Sequence, residues 1–203
     1  MIFKNLLRII VSYRAHLIKI LFFEILYIAK GYKGHKFNLV KSNLMTDNIP
    51  CPYYFLYKIK KILKKNKFNK FLDMGCGSGR IIDFFNKSFK NKKFIGFEFF
   101  DLPYNYCKNI FFNKKNIIII KTDFTKHNIK KYNADCYFFN EPFRKKKDLL
   151  KFIKKILRFS SKKKILFIFI NINISFTSNI KNIKLIKLYH LNKNRGFSVF
   201  KRN

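Results

Sequence analysis

The chain has 203 residues, enough for one α/β domain with a full core and too few for a multidomain machine. It carries 45 Lys and Arg against 10 Asp and Glu, a formal charge of +35, yet 48% of its residues are hydrophobic and 19% aromatic, which excludes a disordered polybasic tail. Four cysteines, at 51, 76, 107 and 136, form no C-x-x-C pair; they exclude a small disulfide scaffold and a zinc site of that type, and they point to a reducing, cytosolic compartment.

Lys, Asn, Ile and Phe make up more than half of the chain, and only seven of the basic residues are Arg. An AT-rich genome imposes that composition on any protein, so the charge has two readings: coding bias, or a surface for phosphates or anionic lipid.

The elements are read in chain order. Residues 1–52 divide into an amphipathic helix and a loop-rich connection with Gly31, Gly34, Pro50 and Pro52. On the helix, Lys4, Arg8, Lys19 and Lys30 fall on one side, and Leu6, Ile10, Tyr13, Leu17 and Ile28 on another. Its apolar run from Ile20 to Ala29 is only ten residues long, too short to span a bilayer. No small-residue cleavage site follows it, so it does not read as a cleaved signal. One reading is an interfacial anchor, peripheral at a membrane. The favoured one is a helix packed on the domain or on a second copy of the chain, because Glu24 falls on the apolar side, where lipid would penalise a carboxylate.

Residues 53–203 form the main domain. A helix at 53–66 turns Ile59, Ile62 and Leu63 inward and its lysines outward. Strands are expected at 69–74, 93–99, 116–122, 135–140, 164–171, 184–190 and 197–202, with helices at 78–89, 102–113 and 146–159. This alternation predicts an α/β fold: a mostly parallel seven-stranded sheet with helices on both faces. The short Asn-Lys-Asn-Arg turn between the last two strands predicts an antiparallel C-terminal hairpin at one edge. Basic runs at 58–67 and 144–164 read mainly as solvated helix faces, with Lys147, Lys151, Lys154 and Arg158 outward; RNA or an anionic membrane surface is the sharper alternative.

The most informative stretch is FLDMGCGSGR, residues 71–80. A short apolar strand carries Asp73 near its end, and Gly75, Gly77 and Gly79 follow as a tight turn into a helix. Glycines let the backbone approach a ligand, and the helix start offers unpaired N–H groups. A dinucleotide fingerprint would place its third glycine at position 80, which is Arg80 here, and Asp73 would repel a pyrophosphate. Both features argue against nicotinamide chemistry. Cys76 reads as a small filler with no base nearby in sequence.

These residues closely resemble the first motif of class I S-adenosylmethionine-dependent methyltransferases, D-x-G-x-G-x-G. The resemblance covers roughly three quarters of the chain and extends to small bacterial methyltransferase-domain proteins. It implies a Rossmann-like sheet and S-adenosylmethionine as cofactor, bound by Asp73, Gly75, Cys76, Gly77 and Gly79. It also matches Glu98 to the acid that binds the ribose hydroxyls and Asp123 to the acid beside the adenine amino group, with Phe124 against the ring. Independently of the family, three of the chain's ten carboxylates fall at carboxyl ends of consecutive strands, where open α/β sheets bind ligands. Asp101 reads as a helix cap.

Asn140-Glu141-Pro142-Phe143 is similar to the Asn/Asp-Pro-Pro-aromatic motif of methyltransferases that modify amino groups, and departs from it at Glu141. The resemblance implies that Asn140 holds the acceptor and borders the cofactor; Glu141, where the pattern has proline, is expected on chemical grounds to accept the acceptor's proton if one must leave. Tyr53 and Tyr54 read either as a cover for the cofactor or as core aromatics. The expected function is methyl transfer to an unidentified nitrogen or oxygen. The competing expectation is a non-catalytic basic protein that uses the same fold to bind RNA or a membrane surface. A homodimer through the N-terminal helix is a further expectation, and no metal is expected.

Overall fold

A computed structural model of the protein describes residues 16–32, 50–143, 145–160, 164–172, 180–192 and 195–202. Helix α1 (Leu17–Ala29) and helix α2 (Tyr53–Lys65) precede the sheet. Strand β1 (Lys70–Met74), α3 (Arg80–Ser88), β2 (Lys93–Glu98), α4 (Asp101–Ile110) and β3 (Ile117–Lys121) form the first half. Strand β4 (Cys136–Asn140), α5 (Lys146–Phe159), β5 (Ile165–Ile170), β6 (Lys184–Asn192) and β7 (Arg195–Arg202) form the second. The expected positions Lys4, Leu6, Arg8, Ile10, Tyr13 and Gly34 lie outside the described residues.

The sheet runs in the order β3-β2-β1-β4-β5-β7-β6. The pairings from β3 to β5 are parallel, and β7 pairs antiparallel with both β5 and β6. The expected seven-stranded α/β sheet with its antiparallel end is therefore present. The order of strand addition reverses between the parallel neighbours β1 and β4: the sheet grows one way through β2 and β3 and the other way through β5. Such a switch point leaves a crevice outside the strands' carboxyl ends.

Alternation along each strand sends successive side chains to opposite faces. Phe71, Phe94, Phe138 and Ile168 enter the core beneath α1 to α4. Leu72, Phe97, Phe139 and Phe169 enter a second core beneath α5. In that second core aromatic partners stack in register across β4 and β5: Tyr137 on Phe167 at 5.7 Å and Phe139 on Phe169 at 5.2 Å. Cross-strand pairs of this kind stabilise a sheet beyond their burial alone.

Helix α5 has the expected bounds, with Leu149, Phe152, Ile153 and Ile156 inward. Helix α4 is shorter than expected: it ends at Ile110, and Phe111 at its C-cap is buried against the core. Asp101 is not the cap: it is the first helical residue, no side chain caps this helix, and its carboxylate meets the Lys121 ammonium instead. A single turn of 3₁₀ helix at Ile129–Tyr132 carries no periodic signal in the sequence and was not expected.

Candidate functional site

The site is built at the carboxyl ends of β1, β2 and β4. After β1 the chain turns sharply, with Gly75 at φ +94°, Gly77 at +54° and Gly79 at +82°, conformations that a side chain disfavours. The N–H groups of Gly75 and Cys76 both donate to the carbonyl of Phe97 on β2, at 3.1 and 2.8 Å, which anchors the turn to the neighbouring strand. At Gly79 a Cβ would lie 2.7 Å from Cys107 Sγ and from the Phe111 ring, so α4 packs where only glycine fits.

Cys76 points away from the crevice. Its thiol is buried in the core 4.0 Å from Cys107 Sγ, above Gly96, where an added Cβ would come within 2.7 Å of it. The sulfur fills a gap in the sheet, as expected of a filler, and only its backbone faces the turn. The hydrogen bond with Cys107 and burial push the pKa of the Cys76 thiol well up.

Asp73 is fully buried, and neither carboxylate oxygen has a hydrogen-bond partner. An unpaired carboxylate in a dry site is costly. Burial, with Glu98 as a like-charged neighbour, pushes its pKa well above the usual carboxylate range. Glu98 shares that face of the sheet and is held by three backbone donors: Gly77 N–H to Oε2 at 2.7 Å, and Phe99 and Phe100 N–H to Oε1 at 2.9 Å each. These bonds draw its pKa down, but burial outweighs them and the net shift is upward.

Asp123 lies just beyond β3. Its Oδ1 accepts from the N–H and hydroxyl of Thr125 at 2.9 and 2.6 Å, fixing a local turn. Phe124 is 2% exposed, with its ring edge-on to Phe143 at 5.4 Å and Phe152 at 5.2 Å, so little of it is left to meet a ligand. At this end Phe99, directly after Glu98, is 43% exposed. Phe99 is not among the expected site residues; its signal in the sequence is an aromatic residue placed immediately after a strand-terminal acid.

Across the switch point, Asn140 ends β4 on the same face as Asp73 and Glu98. Pro142 closes against the turn: a Cβ at Gly75 would sit 3.7 Å from its Cβ. Glu141 adopts a left-handed φ of +46°, and Asn171, just after β5, does the same at +57°. Non-glycine residues in this region store strain and cluster at functional sites. Asn171 Nδ2 donates to Glu141 Oε2 at 3.3 Å and Arg195 Nη1 approaches the same oxygen at 3.5 Å. Burial raises the Glu141 pKa, and Arg195 and Asn171 oppose that shift. Neither partner was legible in the sequence, because one follows β5 and the other begins β7.

Tyr53 and Tyr54 are core residues, not a cover. Arg80 lies over the Tyr53 ring at 4.4 Å and pairs with Glu24 of α1 at 2.8 Å; both ends of the ion pair are buried. Glu24 also accepts the N–H of Tyr53 at 2.8 Å. Helix α1 is thus fastened to the first residue of the helix that follows the glycine turn.

The donors and acceptors suit S-adenosylmethionine. The ligand carries an ammonium and a sulfonium, and the unpartnered Asp73 carboxylate supplies the opposite charge. Glu98 keeps acceptor capacity for hydroxyls after its three backbone bonds, and the left-handed glycines leave the turn without side chains.

The seven-stranded sheet, its switch point and the glycine turn define the class I methyltransferase fold, and comparison with solved structures agrees. A candidate caffeoyl-CoA O-methyltransferase from Staphylococcus aureus superposes with a TM-score of 0.58 at 14% identity, over 73% of this chain and 82% of that one. The methyltransferase domain of the bacterial CtHen1-C protein gives 0.56 at 14% identity, over 73% and 96%. A SAM-dependent methyltransferase from Aquifex aeolicus gives 0.55 at 16%, over 71% and 89%. No protein-family model and no curated protein sequence matches the chain.

Proposed function

We propose that this chain is an S-adenosylmethionine-dependent methyltransferase acting on a nitrogen or oxygen nucleophile. The observation that carries the reading is Asp73: a fully buried carboxylate with both oxygens unpartnered, beneath a turn of three left-handed glycines. A ligand that pairs with such a group removes the cost of burying it unpartnered. When bound, the cofactor supplies an electrophilic methyl group on sulfur.

The chain's own residues do the rest by positioning, which accounts for much of the rate in displacements of this type. Asp73 and the turn hold the cationic amino-acid end of the ligand, and Glu98 holds the ribose hydroxyls. Phe99 offers an open ring for the base. Asn140 orients the acceptor atom, and Glu141 receives its proton where one must leave. A carboxylate whose pKa is raised by burial is a better base than a free one, and its pairing with Asn171 and Arg195 fixes its direction.

Titration calorimetry with S-adenosylmethionine and S-adenosylhomocysteine tests the reading. Micromolar binding by the intact chain, lost in Asp73→Ala and Glu98→Ala variants that still fold, is the expected result. No binding by the intact folded chain would remove the enzyme reading and leave the basic binding protein. A labelled methyl donor with the acceptor classes in turn (protein lysine, nucleic acid, lipid or glycan, small metabolite) then identifies the substrate. Asn140→Ala is expected to lower turnover while binding the cofactor normally.

A further inference from the structure

Helix α1 is apolar on two sides, and the domain uses one of them. Ile20, Glu24 and Tyr27 are buried, and Phe23 packs on Tyr54 at 5.3 Å and Tyr57 at 5.0 Å. The opposite side carries Ile18, Phe22 and Ile25, which are 84%, 61% and 61% exposed. At 3.6 residues per turn these three fall within a sector of about 60°. A helix that is apolar all round is normally covered all round, so the outer row calls for an occupant.

The surroundings of the row indicate its chemistry. Lys19 and Lys30 are exposed along the flank nearest α2. Phe23 marks that flank, and beyond it Tyr57 lies under the ammonium of Lys61 at 4.7 Å. Lys64 follows on the same face of α2 and is exposed. The row is therefore bordered by lysines on one side and contains no acid. The carboxylate of α1, Glu24, turns inward to Arg80 and to the Tyr53 N–H. The sequence-based objection to a lipid contact was that Glu24 shares the helix's apolar side; the structure places it on the domain side instead.

We infer that the outer face of α1, with the lysines of α1 and α2 beside it, docks on an anionic lipid bilayer. Among the described residues no helix is long and apolar enough to cross a membrane. The geometry is that of a helix lying in the interface, its aliphatic and aromatic side chains among the acyl chains and its ammonium groups at the lipid phosphates. An RNA partner would use the lysines but has no use for Ile18 and Ile25, which offer no flat ring for a base to stack on. A second copy on this face would bring two lysine borders of a +35 chain together. The inference is independent of methyl transfer.

Vesicle co-sedimentation of the full chain tests it. One vesicle preparation contains equal parts phosphatidylglycerol and phosphatidylcholine, the other phosphatidylcholine alone. Binding to the anionic vesicles is expected, weakened by salt, and at least roughly tenfold tighter than to the neutral ones. Phe22→Ser/Ile25→Ser replaces exposed side chains, so it should keep the native circular dichroism and melting temperature while losing at least roughly tenfold in vesicle affinity. Lys61→Glu/Lys64→Glu should weaken anionic binding alone. Three results overturn the inference. One is no binding by the folded chain. Another is equal binding by the Phe22→Ser/Ile25→Ser variant, which would reduce the effect to charge alone and is the pattern expected of an RNA surface. The last is a dimer in sedimentation equilibrium that Phe22→Ser/Ile25→Ser dissociates, without vesicle binding.

Discussion

The two faces of the sheet bury different chemistry. Beneath α5 the described residues form an aromatic and aliphatic core whose only buried polar side chains are the hydroxyls of Ser160 and Ser198, apart from the Tyr137 phenol. Beneath α1 to α4 lie all the buried charges among the described residues: Glu24, Asp73, Arg80, Asp83 and Glu98. One face is built for cohesion. The other accepts electrostatic penalties, because its open end must meet a charged ligand and its outer helix must be tied down. Substitutions on the two faces should therefore separate stability from binding.

The largest effect belongs to the cohesive face. Phe139→Ala removes a fully buried ring that stacks on Phe169, and should lower unfolding free energy by about 3–5 kcal/mol in denaturant titration. At temperatures where the variant remains folded, its affinity for S-adenosylhomocysteine should be unchanged. On the other face, Arg80→Met strands the buried Glu24 carboxylate and should destabilise by about 3 kcal/mol or more. Adding Glu24→Gln should recover part of that loss, a coupling that two independent core defects would not show.

Asp73→Asn should act in the opposite sense on the two properties. It should abolish cofactor binding yet stabilise the free protein near neutral pH, since an amide enters the site uncharged without taking up a proton from solution. The pH dependence has a definite sign. Because burial raises the Asp73 pKa, the folded chain holds this proton at pH values where the unfolded chain has released it. Stability therefore falls as pH rises from the ordinary carboxylate range to the raised value, and the Asn variant should lose that slope.

The smallest effect is kinetic. Arg195 opposes the upward shift at Glu141, so Arg195→Met should move the acid limb of the methyl-transfer rate to higher pH with little change in melting temperature. An acid limb that stays in place would remove Glu141 as the proton acceptor.

Much of the scaffold was legible because its segments are written in contrast. Runs such as IIII before Lys121 and ILFIFI at β5 stand between lysine and asparagine clusters, and the strand ends fall within two residues of expectation. The turn from Asp73 to Gly79 was equally legible, since its backbone conformations exclude most other residues. What stayed hidden joins distant parts of the chain. Arg80 read only as a residue unfit for a dinucleotide turn, and its partner stands 56 positions earlier. The room Gly96 makes for Cys76, and the grouping of Glu141 with Asn171 and Arg195, are likewise products of strand order. Phe124 was placed against the ligand by resemblance, whereas packing beneath α5 encloses it.

The junction between α1 and the domain has an optical consequence. The chain contains no Trp and 11 Tyr, so its intrinsic ultraviolet emission comes from tyrosine alone. Tyr27, Tyr32 and Tyr53 meet at this junction with ring centroids 5.0–5.9 Å apart, and the Arg80 guanidinium covers Tyr53. Any event that lifts α1 from the domain therefore hydrates the protein's own chromophores, and a difference spectrum of the unlabelled chain records the helix leaving its seat.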